Sequence, residues 1–283
     1  MDIAVLDIGG TAVKYGLYRH GRLCRRGQFY TLGEYGAQDL LRRAGDALAT
    51  LAPFDAIGIS TRGQITRDGK VYFDTEEIRG WSGTPVAELL QSRFSVPVTI
   101  ENDVNCMALG EGARGAARGL QNFLCVAFGT GIGAGLVLNG RLYPGARGFA
   151  GEAGLMPFRD AVWEQYASVS ALISLAHARD PEITDGHVLH ARLDSNAARE
   201  ALALWLPAAA HGLCGLIHTL DPEGVVLGGG LMTCPEITLP LAKAVRDILV
   251  PGFETTRIVP AALGQDAMLL GAAAAAKRRG FLR

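Results

Sequence analysis

Near the start of the chain an acid is followed by bare backbone: Asp7 ends an apolar run, Gly9 and Gly10 follow, then Thr11, with Lys14 three residues further on. Glycine lets main-chain N–H groups approach an anion with no Cβ in the way, and a threonine hydroxyl adds a donor. A carboxylate at Asp7 suits the waters of a Mg²⁺ ion, which prefers oxygen ligands and keeps several waters. Lys14 could add charge to a bound phosphate or, at strand spacing, face solvent. A tight hairpin would explain the same stretch without any ligand.

The ingredients return in FGTGIGAG, Phe128 to Gly135, where Thr130 stands among Gly129, Gly131 and Gly133. GTGIGA formally matches the dinucleotide fingerprint GxGxxG/A. That fingerprint needs a helix after it, whereas the next segment, GLVLNGRLY, alternates like a strand. The dinucleotide reading therefore fails on context. A third cluster, Gly228, Gly229 and Gly230, follows the strand-like VVL. It could abut an adenine or ribose, where a side chain would collide, or be a plain strand-to-helix turn. Three glycine loops, each after a strand and shared between two similar halves, suggest a nucleoside triphosphate clamped between domains.

ENDVN, Glu101 to Asn105, lies where a short strand gives way to a helix. Asp103 could take a proton from a substrate hydroxyl, or cap the helix. The two roles are compatible, because a helix N-terminus favours the ionised carboxylate that a base requires.

The elements that must position these residues repeat. DIAVLDIGG, AVKYGLYRHG and RLCRRGQFYTL read as strands, with a hairpin turn at His20-Gly21. AQDLLRRAGDALATL has helical spacing and Pro53 after it. FDAIGIST reads as a buried strand, Asp68-Gly69 as a hairpin turn, and TPVAELLQSRF as a helix with Thr84 as N-cap. NFLCVAFGTG and GAGLVLNGRLY restart the pattern. The segment from Gly145 to about Glu200 is mixed. Then come a helical stretch interrupted at Pro207, the strand EGVVLGGGLM, the helix LPLAKAVRDILV and a last helix from Gln265 to Arg279. This predicts two α/β domains, an N-terminal one of residues 1–116 plus 267–283 and a C-terminal one of 117–266.

The chain has 283 residues, a formal net charge of -1 and 49% hydrophobic residues. It can bury a sizeable core, and it lacks the basic surface that a non-specific hold on nucleic acid needs. No stretch reads as a signal peptide, and AMLLGAAAAA is far too short to span a bilayer. Five scattered cysteines, none in CxxC spacing, suit a reducing cytosol, so a cytoplasmic location is expected. His187 and His190 could form half a metal site, but no carboxylate or cysteine set completes it.

Together these segments resemble the ROK family, whose name joins repressors, open reading frames and kinases, over nearly the whole chain. DIGGT with Lys14 is similar to its first phosphate loop and ISTRGQITRDGK to the turn after its fourth strand. ENDVNCMALGE is similar to its catalytic segment, GTGIGAGLVLNGRLYPGARGFAGEAG to its second phosphate loop and sugar loop, and VVLGGGLM to its adenosine loop. The resemblance implies the two-domain actin and hexokinase fold, ribonuclease-H-like domains around an interdomain cleft. It implies transfer of the γ-phosphate of ATP, with Mg²⁺, to a sugar hydroxyl, the 6-position of a hexose by default. Asp103 would be the general base. Asn102, Glu152 and, in VWEQYAS, Glu164 would bind sugar hydroxyls. Gly9, Gly10, Thr11, Thr130, Gly131 and Gly133 would meet phosphate, Gly229 and Gly230 the adenosine, and Asp7 would organise the metal. A homodimer is the family's frequent state.

Two departures stand out. Zinc-bearing members follow the GE segment with Gly-His and three close cysteines. Here the positions are Gly154 and Leu155, with no cysteine between Cys125 and Cys214, so no zinc site is expected. That places the chain with zinc-less members such as kinases of β-glucosides and N-acetylmannosamine. Members often carry asparagine four residues before the tryptophan of the GW segment. Here Glu77 stands there and would accept, but not donate, hydrogen bonds to a sugar. The rival expectation is a sugar or nucleotide sensor without catalysis, as in the family's repressors. Those carry a DNA-binding domain ahead of the first loop, for which the six residues before Asp7 leave no room.

Overall fold

The computed structural model describes residues 1–75 and 77–280. β1 (Ile3–Ile8), β2 (Ala12–Arg19) and β3 (Arg22–Tyr30) form an antiparallel meander. Then come α1 (Gly36–Ala49), β4 (Ala56–Thr61), the small hairpin β5 (Gln64–Ile65) and β6 (Val71–Phe73), α2 (Val86–Phe94), β7 (Val98–Asn102) and α3 (Asp103–Arg114). The sheet order is β3-β2-β1-β4-β7, with β4 parallel to both β1 and β7. β1 is apolar on both faces because both are covered. Ala4, Leu6 and Ile8 join a core with Leu40, Leu48 and Leu90, while Ile3 and Val5 join Leu269, Ala272 and Ala276.

The second half repeats this plan. β8 (Phe123–Phe128), β9 (Ile132–Leu138) and β10 (Arg141–Leu142) are followed by the short pair β11 (Pro157–Phe158) and β12 (Ala161–Val162). Four helices come next: α4 (Trp163–Ala167), α5 (Val169–His177), α6 (Gly186–Ala191) and α7 (Asn196–Leu220). β13 (Gly224–Gly228), α8 (Pro235–Arg246), β14 (Arg257–Pro260) and α9 (Ala267–Gly280) complete the order. The second sheet has the order β10-β9-β8-β13-β14, again a hairpin beside parallel strands. GTGIGA is thus followed by β9, a strand antiparallel to β8, as its context requires.

Two compact units divide the chain. The first holds Met1–Arg118, Leu142–Ala150 and the described residues from Leu263 onward; the second holds Gly119–Arg141 and Gly151–Ala262. Residues 142–150 thus belong to the first unit, where the sequence reading assigns them to the second domain. The final three residues of the expected 267–283 tail, and Glu76, lie outside the described residues.

Three local expectations need correction. Thr84 does not cap α2: its hydroxyl donates to the Gly80 carbonyl, and Pro85 takes the N-cap position without a side-chain bond. Pro207 does not interrupt its helix, because packing on both sides of it holds α7 continuous. The Trp205 indole N–H donates to the Ala167 and Ser168 carbonyls, and the Trp163 indole N–H to the carbonyl of Ala208. α8 begins earlier than read, at Pro235, and carries Pro240 within it. α7 is long and apolar enough to cross a membrane by length and composition, but half of its apolar window is buried within the protein.

α9 returns to the first unit and packs against α3 and the sheet. Glycines at the contact allow the approach. A Cβ on Gly271 would overlap the Cys106 carbonyl and stand 2.7 Å from its Cα, and one on Gly110 would overlap the Ala267 carbonyl. Gly271→Ala is therefore expected to lower stability by about 1–3 kcal/mol, read as a fall in the urea midpoint at unchanged slope. An unchanged midpoint would mean that the two helices do not approach this closely.

Candidate active site

In the first unit, β1 delivers Asp7 to the start of the first glycine loop. The strand register sets Asp7 opposite Lys14 on β2 and beside Ser60 on β4. The Ser60 hydroxyl donates to Asp7 Oδ1 at 2.9 Å. Burial pushes the Asp7 carboxyl up, while Ser60 and the charge of Lys14 pull it back. Lys14 thus lies on the acid's own face of the sheet. The loop is tied down by Thr31, a fully buried residue that sequence reasoning passed over. Its hydroxyl donates to the Gly9 carbonyl at 2.6 Å and its N–H to the Thr11 carbonyl at 2.8 Å. The Gly9 N–H bonds the Ala12 carbonyl, and the Thr11 side chain is left exposed.

β7 delivers the second acid. The cap of α3 is Asn102 rather than Asp103: Asn102 Oδ1 accepts from the N–H groups of Val104 and Asn105. Its Nδ2 donates to the Gly63 carbonyl at 3.1 Å, leaving one amide hydrogen for a ligand. Asp103 is the first helical residue and accepts from the Val104 N–H at 2.9 Å. Burial, then the nearby Asp7 charge, raises its pKa from 3.8 to about 6, against the pull of the Val104 bond and of Arg62. Glu101 is engaged within its own segment: its Oε1 accepts from the Asn102 N–H and the Asn105 side-chain amide. The Cys106 thiol is pushed well above its usual range, first by burial and then by Glu101 and Asp7, which keeps it inert.

Glu77 does not stand free for a sugar. It pairs with Arg62 Nη1 beside the first loop, and a Cβ on Gly10 would overlap its carboxylate. Arg62 is the second residue that the motif reading missed. Its Nε donates to buried Asp74 at 2.8 Å and its Nη2 to Thr75 Oγ1 at 2.6 Å. The nearest signal was the STRGQ turn itself, which places a cation directly after β4.

In the second unit, the second glycine loop bends between β8 and β9, with the Gly129 N–H bonded to the Gly131 carbonyl at 2.9 Å. The Gly129 carbonyl accepts from Val169 N–H, which anchors the loop to α5. Thr130 is exposed at the tip and Gly133 lies two residues into the loop's outgoing strand. Glu164, on α4, sits against this loop: its Oε2 accepts the Ile132 N–H at 3.0 Å. A Cβ on Gly131 would come within 2.6 Å of that same oxygen. Glu152 is exposed just ahead of a short 3₁₀ turn, Ala153–Leu155. At the third cluster Gly229 has φ 111, and a Cβ there would overlap the Phe128 carbonyl, so the site demands glycine for the chain's own packing. Gly230 faces open space.

The half-buried pair Asp7 and Asp103 fits a hydrated divalent cation, since each carboxyl is pushed up by desolvation and Asp103 further by Asp7. Among the described residues no three of His, Cys, Asp and Glu converge as direct metal ligands.

Known proteins are similar to this chain over most of its length. A β-glucoside kinase of Listeria monocytogenes is 30% identical over 96% of each chain. A xylose repressor of Bacillus subtilis is 29% identical over 76% of this chain and 59% of its own. The crystal structure of a ROK family glucokinase from Streptomyces griseus, in complex with glucose and AMPPNP, superposes with a TM-score of 0.85 at 27% identity, covering 98% of this chain and all of that one. The two-domain actin and hexokinase type of fold is therefore the fold of this chain. The ROK family pattern matches residues 3–279, and the chain belongs to the ROK family.

Proposed function

We propose that the protein is an ATP-dependent sugar kinase, passing the γ-phosphate to a hydroxyl of a hexose, an N-acetylhexosamine or a glucoside, with the 6-position as the family's default. The observation that carries this reading is Asp103: a carboxyl at the first turn of a helix, with a pKa of about 6, beside a second acid at a glycine loop. A group titrating near 6 is largely ionised at neutral pH and still basic enough to accept a hydroxyl proton as the oxygen attacks phosphorus. The glucokinase relative that binds glucose and an ATP analogue supports the same chemistry.

Within this reading the chain's own groups divide the work. The first unit supplies Asp103 as proton acceptor, the spare amide hydrogen of Asn102 for a sugar hydroxyl, and the Gly9–Thr11 backbone for phosphate. The second unit supplies the Thr130–Gly133 loop for phosphate, Glu152 for sugar hydroxyls, and open Gly230 for adenosine. Glu164 fixes that loop through Ile132 and has a second carboxylate oxygen to offer a sugar. Mg²⁺, held by Asp7 through water, would supply charge neutralisation at the phosphate oxygens. A cytoplasmic homodimer belongs to the same reading, and light scattering on the purified protein measures its mass. The xylose repressor relative favours a second reading, a sugar sensor without turnover.

A panel of hexoses, N-acetylhexosamines, β-glucosides and deoxy analogues, scored by ADP release, decides between them. Sugar-dependent ADP release is expected, and binding of sugar with no release would establish the sensor. Asp103→Asn is expected to lose at least about a hundredfold in kcat while still binding ATP. Near-normal turnover would remove Asp103 as the base. The same variant should be more stable than wild type at neutral pH. The raised pKa means that ionising Asp103 disfavours the folded state, with no penalty below 3.8 and the full penalty above about 6. With the carboxyl keeping a partly open edge, the gain is about 1–3 kcal/mol. Thermal melts should show Asp103→Asn ahead at pH 7.5, with the advantage shrinking toward pH 4. An equal difference at both pH values would contradict the buried acid.

A further inference from the structure

The first glycine loop already carries an anion of the chain's own. The Glu77 carboxylate lies where a Cβ on Gly10 would be, and Arg62 Nη1 stands 3.2 Å from the same point. This is the bare backbone face that the kinase reading gives to phosphate. The two partners are held very differently. Arg62 is anchored through Nε to Asp74, whose side chain is only 2% exposed, and through Nη2 to Thr75. Asp74 Oδ2 is buried with no hydrogen-bond partner among the described residues, so removing the guanidinium would leave a buried carboxylate uncompensated. The Glu77 side chain is 47% exposed, and among the described residues its one ion pair is with Arg62. The guanidinium is therefore the fixed member and the Glu77 carboxylate the displaceable one.

We propose that Arg62 is the cation that receives the nucleotide's phosphate at the first loop, and that Glu77 occupies that place until the phosphate displaces it. A guanidinium is suited to this exchange because its planar donors serve carboxylate and phosphate alike, and the more highly charged anion wins. Arg62 also acts on Asp103, pulling its acidity back after burial and Asp7 have weakened it, which places one cation in reach of both the loop and the base. In phosphoryl transfer such a cation stabilises charge on the moving group. The exchange rests on the kinase reading for the identity of the incoming anion.

Calorimetric titration of the full chain with MgATP and MgADP tests it, on wild type, Glu77→Gln, Arg62→Lys, Arg62→Gln and the Glu77→Gln/Arg62→Gln double variant. Glu77→Gln should bind MgATP about five- to tenfold more tightly, and Arg62→Gln about tenfold more weakly, with Arg62→Lys between it and wild type. In the Arg62→Gln background the gain from Glu77→Gln should fall below about twofold, because the freed cation is gone. A gain of equal size in both backgrounds would make Glu77 a mere repelling charge and overturn the exchange. Unchanged or weaker binding by Glu77→Gln would overturn it as well. Should Arg62→Gln fail to fold, Glu77→Gln and Arg62→Lys, both of which keep a charge beside Asp74, still decide through the direction of their shifts. A wild-type chain that binds no adenine nucleotide sinks this exchange and the kinase reading together. Sugar-dependent ADP release with no response to Glu77→Gln overturns the exchange alone.

Discussion

The parallel register of β1, β4 and β7 is the constraint on which the chemistry of the first unit depends. It sets Asp7 beside Ser60 and Ser60 beside Glu101, with Lys14 opposite Asp7 on the hairpin side. One row across four strands therefore carries a cation, an acid, a hydroxyl and a second acid. The next row, Ile8, Thr61 and Asn102, ends the strands and releases three backbones. One becomes the glycine loop, one the turn that bears Arg62, and one the helix that bears Asp103. A slip of one residue in any of these strands would send its polar member to the opposite face.

That arrangement concentrates negative charge where solvent is scarce. Asp7 and Asp103 are both driven toward the neutral form by burial, and each nearby cation has a defined place in opposing this. Lys14 acts on Asp7 across the hairpin, and Arg62 acts on Asp103 from the turn after β4. The site is strained in the electrostatic sense, as functional carboxylates often are. Its backbone supports are ordinary: a buried threonine hydroxyl, an asparagine cap and close glycine contacts.

Much of this was legible in the sequence because the signals are local. The β1–β2 and β8–β9 hairpins announce themselves by alternation and by glycine at their turns, and Asp7 and Asp103 by their position at strand ends. What escaped depends on partners distant in the chain. Thr31 acts on a carbonyl 22 residues away, and nothing around it says so. Arg62 reads as a turn residue until Asp74 and Glu77 are brought to it. The cap of α3 falls on Asn102, one residue ahead of the acid expected to share that duty, because the Gly63 carbonyl fixes the amide from its other end. β14 carries only one buried strand position pair, Ile258 with its partner Val225, too little pattern to see in isolation. α7 runs through Pro207 with tertiary bonds on each side of it, the Trp205 indole N–H donating to the Ala167 carbonyl and the Ala208 carbonyl accepting from the Trp163 indole N–H, a tertiary override of a local breaker.

The return of α9 to the first unit has a consequence for biosynthesis. Its Leu269, Ala272 and Ala276 cover the face of β1 that carries Ile3 and Val5. These strands leave the ribosome before their cover, which follows every other element named here, so one side of the nascent sheet stays bare while the whole second unit is translated. Completion of the first unit is thereby deferred until α9 has emerged, and in that interval an apolar sheet face is open to chaperones or to misassociation.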